Sequence, residues 1–118
     1  IKALAERGSV IGLAFDVWMV VPGWERGVTT PSDKPEANLE ALADHVDHYC
    51  QLIGSSGHLG IGTDLDGGYG TEQTPAGLDT ISDLNEFRAI LERRGYTEED
   101  LTGIFHGNFL NFLKKAWT

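Results

Sequence analysis

Positive charge, sulfur and long apolar runs are all scarce in this sequence. Nine Lys and Arg stand against 18 Asp and Glu, a formal net charge of −9, with an isoelectric point near 4.7. Such a balance argues against a nucleic-acid or anionic-membrane surface, both of which need clustered Lys and Arg. Its commonest meaning is solubility. The single cysteine, Cys50, excludes an internal disulfide and zinc-knuckle spacing, and its place on the apolar face of a predicted helix suits a small buried hydrophobe. No apolar run approaches transmembrane length and no signal-peptide pattern is visible, so a cytoplasmic location is the expectation. No Ser-His-Asp or Cys-His signature supports covalent catalysis. The run Gly67-Gly68-Tyr69-Gly70 lacks the Lys-Ser/Thr of a phosphate loop.

The 118 residues suffice for one small domain with a modest core. Ile1–Arg7 reads as the end of a helix, with Ile1, Leu4 and Ala5 at i, i+3, i+4 and no cap before them. A piece of a longer polypeptide, or a processed product, is therefore expected. Ser9–Phe15 is a short apolar run suited to a strand buried on both faces, with Asp16 at its tip. Val17–Glu36 reads as a long loop, unusually apolar through Trp18, Met19 and Trp24, of the kind that is functional or packs as a lid. Asn38–Ile53 has helical periodicity, Asn38 as cap and Gly54 as stop. His58–Asp64 is a second buried strand, and a loop runs on to about Thr80. Ser82–Arg94 is predicted helical with Ser82 as cap, and Thr97–Trp117 as one final helix capped by Thr97. Strands alternating with helices predict a parallel α/β architecture. Two strands buried on both faces cannot cover each other, so the sheet extends beyond them.

The segment from His58 to Gly68 holds the chemistry. Two carboxylates, Asp64 and Asp66, follow a strand of apolar and small residues, and glycine follows them. An acid at the C-terminal tip of a parallel strand is where α/β-barrel enzymes place reactive groups. An Asx-type turn, with both carboxylates bonding their own backbone, is the alternative. His45 and His48, with Asp44 and Asp47, flank the buried stripe of their helix and read as a solvated or capping face rather than as metal ligands. His58 and His106 read as structural.

Four motifs occur in order: Gly60-Ile61-Gly62-Thr63-Asp64-Leu65-Asp66-Gly67, Pro75-Ala76-Gly77-Leu78-Asp79-Thr80, Leu91-Glu92-Arg93-Arg94-Gly95-Tyr96-Thr97-Glu98-Glu99-Asp100, and Gly107-Asn108-Phe109-Leu110. Together with Asp44-His45-Val46-Asp47-His48, they resemble the C-terminal third of the membrane (renal) dipeptidase family. The resemblance extends more loosely over residues 1–118. It implies a (β/α)8 TIM barrel of the amidohydrolase type, with Ser9–Phe15 as strand seven and His58–Asp64 as strand eight. It implies a metal-dependent dipeptidase with a dipeptide substrate and two zinc ions, and a homo-oligomer is expected. Asp64 matches the strand-eight aspartate that exchanges a proton with the reacting water. Asp66 matches a second aspartate, for which a role in the turn is expected. Asn108 is expected to bond loop backbone. Asp16, Trp18 and Tyr69 are the candidates for substrate contact.

The family's zinc ligands lie on strands one, three, five and six, and no metal ligand is assigned within this sequence. Its substrate-binding arginine after strand six has no counterpart here either. After strand seven, better-known members carry Asn and Tyr where this sequence has Asp16-Val17-Trp18-Met19. The isolated segment is therefore expected to be inactive and to need the remainder of the barrel or another copy of the chain. A non-catalytic assembly subunit, or an amidohydrolase acting on another amide, remains an alternative.

Overall fold

The computed structural model describes residues 1–118 as a mixed helix-and-strand, α/β-like unit. Helix α1 (Lys2–Glu6) leads into strand β1 (Ile11–Leu13), then a single helical turn, α2 (Val17–Val20), and the long helix α3 (Leu39–Ile53). Strand β2 (Leu59–Ile61) follows, then 3-10 turns at Thr71–Gln73 and Ile81–Asp83, and helices α4 (Leu84–Arg93), α5 (Glu98–Thr102) and α6 (Asn108–Ala116). β1 and β2 pair in parallel, Ile11 with Leu59, Gly12 with Gly60 and Leu13 with Ile61. The regular strands are shorter than their apolar runs, but the pairing does not stop at their ends. Phe15 N–H donates to the Thr63 carbonyl at 3.1 Å, and Ile11 N–H to that of His58 at 2.8 Å. The two chain tips therefore emerge side by side, Phe15 and Asp16 beside Thr63 and Asp64.

Alternation of side chains along a strand separates the two faces of this pair. Leu13, Phe15 and Leu59 enter the main core with Leu42, Val46, Phe87, Leu91, Leu101 and Ile104. Phe15 and Phe87 meet edge to face, centroids 5.2 Å apart. The other face is made of Gly12, Gly60 and Gly62, and Phe109 lies on it. The expectation of strands buried on both faces holds only on the leucine side. Gly12 and Gly62 remain exposed, and the sheet has just two strands, each with one edge unpaired within the chain.

Asn38 caps α3 as its sequence predicts, accepting the Ala41 N–H at 3.1 Å. Three other expectations need correction. The segment after β1 is not loop throughout: Asp16 accepts the Trp18 N–H at 3.0 Å and starts α2. Val17, Val21, Trp24 and Ala37 then form a second small core beneath that segment. The cap before α4 is not Ser82. The Asp83 carboxylate accepts the Thr80 N–H at 2.7 Å and the Asp79 N–H at 3.0 Å, two residues ahead of the expected start. The last helix is not continuous, because a π-helical turn over Gly103–Gly107 separates α5 from α6. That turn delivers Asn108 to the strand end, where its side-chain amide donates to the Ser56 carbonyl at 2.9 Å and the Leu59 carbonyl at 2.8 Å. Beyond it, α6 buries no residue, and Trp117 is 80% exposed.

Charge ties α3 to α4. Glu40, Asp44 and Asp47 line one side of α3, and the Arg94 guanidinium meets all three at 2.6, 2.7 and 2.7 Å. Tyr96 adds a hydroxyl donated to Asp47 at 2.6 Å. These acids are thus occupied by Arg94, in line with a structural reading of the Asp44–His48 motif. His58 Nδ1 sits 2.9 Å from the Ser9 carbonyl, holding the opposite end of the strand pair.

A Cβ on Gly60 would fall inside contact distance of the Phe109 ring edge. Gly60→Ala should therefore destabilise the fold by about 1–3 kcal/mol, the usual range for overpacking. Combining it with Phe109→Ala should recover part of that loss. Denaturant unfolding of the two single variants and the double checks this, and strict additivity would contradict the contact.

Candidate active site

Asp64 leaves the tip of β2 with φ at +60°, in the left-handed region, and it is the one non-glycine residue to do so. Asp tolerates that region better than most residues because its short side chain bonds locally. Such outliers concentrate at functional sites. Its side chain is exposed. The turn closes as the Gly67 N–H donates to the Asp64 carbonyl at 2.9 Å. Gly67 has a steric role as well. A Cβ there would lie 2.6 Å from the Asp64 carboxyl carbon, so only glycine leaves the carboxylate where it is.

Asp16, at the neighbouring tip, is 2% exposed. A buried carboxylate needs partners, and it has three. The Trp18 N–H reaches it at 3.0 Å, the Gln73 side-chain amide donates at 2.7 Å, and the Arg26 guanidinium lies 4.0 Å away. Arg26 also sits over the Trp18 ring, 5.1 Å from its centroid. Trp18 itself is 49% exposed, with Met19 open beside it. The Asp16–Gln73 bond joins the β1 tip to the segment after β2 and covers the ground between them. Trp24 is buried in the small core below, and its indole N–H has no partner within the chain.

Tyr69 stands between these elements. Its hydroxyl donates to the Thr63 carbonyl at 3.1 Å. Burial, followed by the negative charges of Asp16, Asp64 and Asp66, pushes its phenol up to about 12. The strand tips run side by side through the Phe15–Thr63 bond, and Tyr69 is tied to Thr63 beside Asp64. The structure therefore brings Asp16, Asp64 and Tyr69 into one neighbourhood and links Trp18 to it through Arg26. A cleft of about 410 Å³ opens next to this group, lined by Thr63, Leu65, Asp66, Thr71, Thr74, Thr80 and Ile81 among others. Asp66 faces the cleft, whereas Asp64, Asp16, Trp18 and Tyr69 are not among its lining residues.

Gln73, Arg26 and Gly67 carry much of this arrangement and are not singled out by the sequence. Gln73 and Arg26 have no motif to mark them, since each acts through a contact distant in sequence. Gly67 does carry a signal, a glycine three residues after the strand-tip acid, but its service to the Asp64 carboxylate needs coordinates to be seen. No three His, Cys, Asp or Glu side chains converge as a metal-binding group, and no helix is long and apolar enough to cross a membrane.

The model of the family described as membrane dipeptidase (peptidase family M19) matches residues 1–118. Dipeptidase 3 of Rattus norvegicus is 37% identical over 80 residues, which are 68% of this chain and 16% of that protein. Dipeptidase 3 of Homo sapiens gives the same identity and shares. Dipeptidase aclJ of Aspergillus oryzae is 35% identical over 85 residues, 72% of this chain and 19% of that protein. The chain thus spans less than a fifth of the length of these relatives.

The Tyr69 phenol has a consequence for alkaline stability. Its folded value lies above the ordinary 10, so the folded state holds the proton more tightly than the unfolded chain does. The associated stability is complete below about pH 10 and is lost as the pH rises towards 12. Tyr69→Phe should flatten that alkaline decline. Urea midpoints measured across pH 8 to about 11 would show it, and an unchanged slope would contradict the assignment.

Proposed function

The chain belongs to the membrane dipeptidase family, and on that footing we propose that it forms the C-terminal part of an enzyme hydrolysing dipeptides. β1 and β2 are then strands seven and eight of a (β/α)8 barrel. Their parallel pairing, with α3 between them in sequence, supports this. The tips carrying Asp16 and Asp64 lie on the face where such barrels gather their reactive groups. The observation that carries the reading is Asp64, an exposed carboxylate at the end of β2 held in left-handed backbone.

Asp64 is the proton carrier in this proposal. As water adds to the peptide carbonyl, the carboxylate accepts its proton. The same proton passes to the nitrogen as the C–N bond breaks, so the amine leaves neutral. A carboxylate in that place also complements the free ammonium group of a dipeptide. Trp18 offers an exposed apolar ring for a substrate side chain, while Asp16 and Tyr69 support that region from beneath rather than touching substrate.

The family is in general metal-dependent. The two zinc ions of the proposed enzyme would be held by the family's ligands on other strands, in polypeptide outside residues 1–118, where they would activate the attacking water and polarise the scissile carbonyl. That polypeptide, or a second copy of the chain, is also proposed to cover the unpaired strand edges and the exposed Leu110, Phe112 and Trp117.

Asp64→Asn in the full-length enzyme keeps the size and removes the base. Its kcat should fall by roughly 10²–10⁴-fold, the range for a positioned acid–base group, with metal content little changed. Asp66→Asn should affect kcat less, because its place is in the turn and cleft wall. Dipeptide hydrolysis assayed beside metal analysis decides this. Near-normal turnover with intact metal in Asp64→Asn would remove the catalytic assignment.

Gly67→Ala offers a second check. Because the added methyl meets the Asp64 carboxylate rather than backbone, it should re-aim that group without unfolding the turn. Turnover should fall by about tenfold or more, while the thermal midpoint moves little. A large drop in midpoint with unchanged turnover per folded molecule would contradict it.

A further inference from the structure

The Thr63 carbonyl accepts two hydrogen bonds. The Phe15 N–H reaches it from β1 at 3.1 Å, and the Tyr69 hydroxyl reaches it from the following loop, also at 3.1 Å. This carbonyl belongs to the same peptide plane as the Asp64 nitrogen, and φ of Asp64 is the rotation about the bond from that nitrogen. Whatever fixes the carbonyl fixes the plane from which the Asp64 side chain is aimed. We propose that Tyr69 is a positioning residue for Asp64, its hydroxyl locking the Thr63–Asp64 peptide so that the carboxylate is presented in left-handed backbone. This rests on the reading of Asp64 as the proton carrier.

Two further observations support the assignment. Left-handed backbone at a non-glycine residue persists only where its surroundings over-determine it, and two donors from separate elements on one carbonyl do that. A phenol also has a single proton to give. Donated to Thr63, it leaves only oxygen lone pairs for a substrate, so the hydroxyl has no donor free for substrate recognition. A tyrosine phenol is protonated at neutral pH in any case, as a donor must be, and burial and the nearby acids extend that state into the alkaline range.

Tyr69→Phe removes the hydroxyl and keeps the ring. The Thr63 carbonyl retains its bond from Phe15, so no buried acceptor is orphaned and the fold should survive. In the full-length enzyme kcat for a dipeptide should fall by roughly 10–100-fold, as for a displaced reactive group, with KM within about twofold. The deciding measurement repeats this change in an Asp64→Asn background, where Tyr69→Phe should alter kcat by less than about twofold. An equal loss in both backgrounds, or a loss confined to KM, would overturn the proposal in favour of direct substrate contact or general support of the fold. A normal kcat for Tyr69→Phe beside an impaired Asp64→Asn would remove Tyr69 and leave Asp64 in place. A normal kcat for Asp64→Asn would instead remove the reading on which both depend.

Discussion

Phe109 lying on Gly12 and Gly60 is the contact on which the rest of this structure depends. Glycine at position 60 lets the aromatic ring approach the β2 backbone at a distance a Cβ would forbid, while at Gly12 the ring is at ordinary contact. Beside the ring, Asn108 ties the same helix to the carbonyls of Ser56 and Leu59. Together they set where the final helix crosses β2. On the opposite face, Leu13, Phe15 and Leu59 are free to join α3, α4 and α5 in one core. The strand tips, and with them Asp16 and Asp64, inherit their positions from that two-sided grip.

The chemistry at the tips is set by unequal treatment of similar groups. Asp16 and Asp64 are both aspartates at the ends of paired strands, yet one is buried among three partners and the other is exposed with no partner for its carboxylate. Asp16 is spent on holding α2, Gln73 and Arg26 together. Asp64 is left open to solvent. Gly67 and Tyr69 attend to it from opposite sides, one by keeping clear of the carboxylate and the other by fixing the peptide behind it. The same economy operates on the far side of α3, where Arg94 gathers three carboxylates that would otherwise repel one another along one helix face.

Much of this was legible in the sequence where the determinants are local. The parallel strands, α3 with its Asn38 cap, the Thr97 cap and the strand-tip acid all follow from residues close together. The backbone bonding of Asn108 was legible as well, from the family motif that holds it. What was not legible rests on contacts between distant residues. The α2 turn after β1 depends on Asp16 acting as a cap, which competes with reading it as a pocket residue. The cap before α4 moved from Ser82 to Thr80 because Asp83 satisfies two N–H groups further upstream. Gln73 and Arg26 belong to the site through partners 57 and 10 residues away, and nothing in their immediate neighbours announces it.

The π turn at Gly103–Gly107 changes how this segment should be compared with others. A wider turn lets the helix fall behind its regular rotation by about one residue, roughly 100°. Leu101 ahead of it and Ile104 at its start serve the core with Phe87, whereas Phe109 after it serves the bare glycine face. The two halves are thus out of phase, like two gears on one shaft meshing with different wheels. An apolar stripe drawn at constant period through residues 101–113 runs through neither contact surface correctly. Any alignment or redesign that keeps a uniform helical period here would preserve every residue type and still turn Asn108 and Phe109 away from β2.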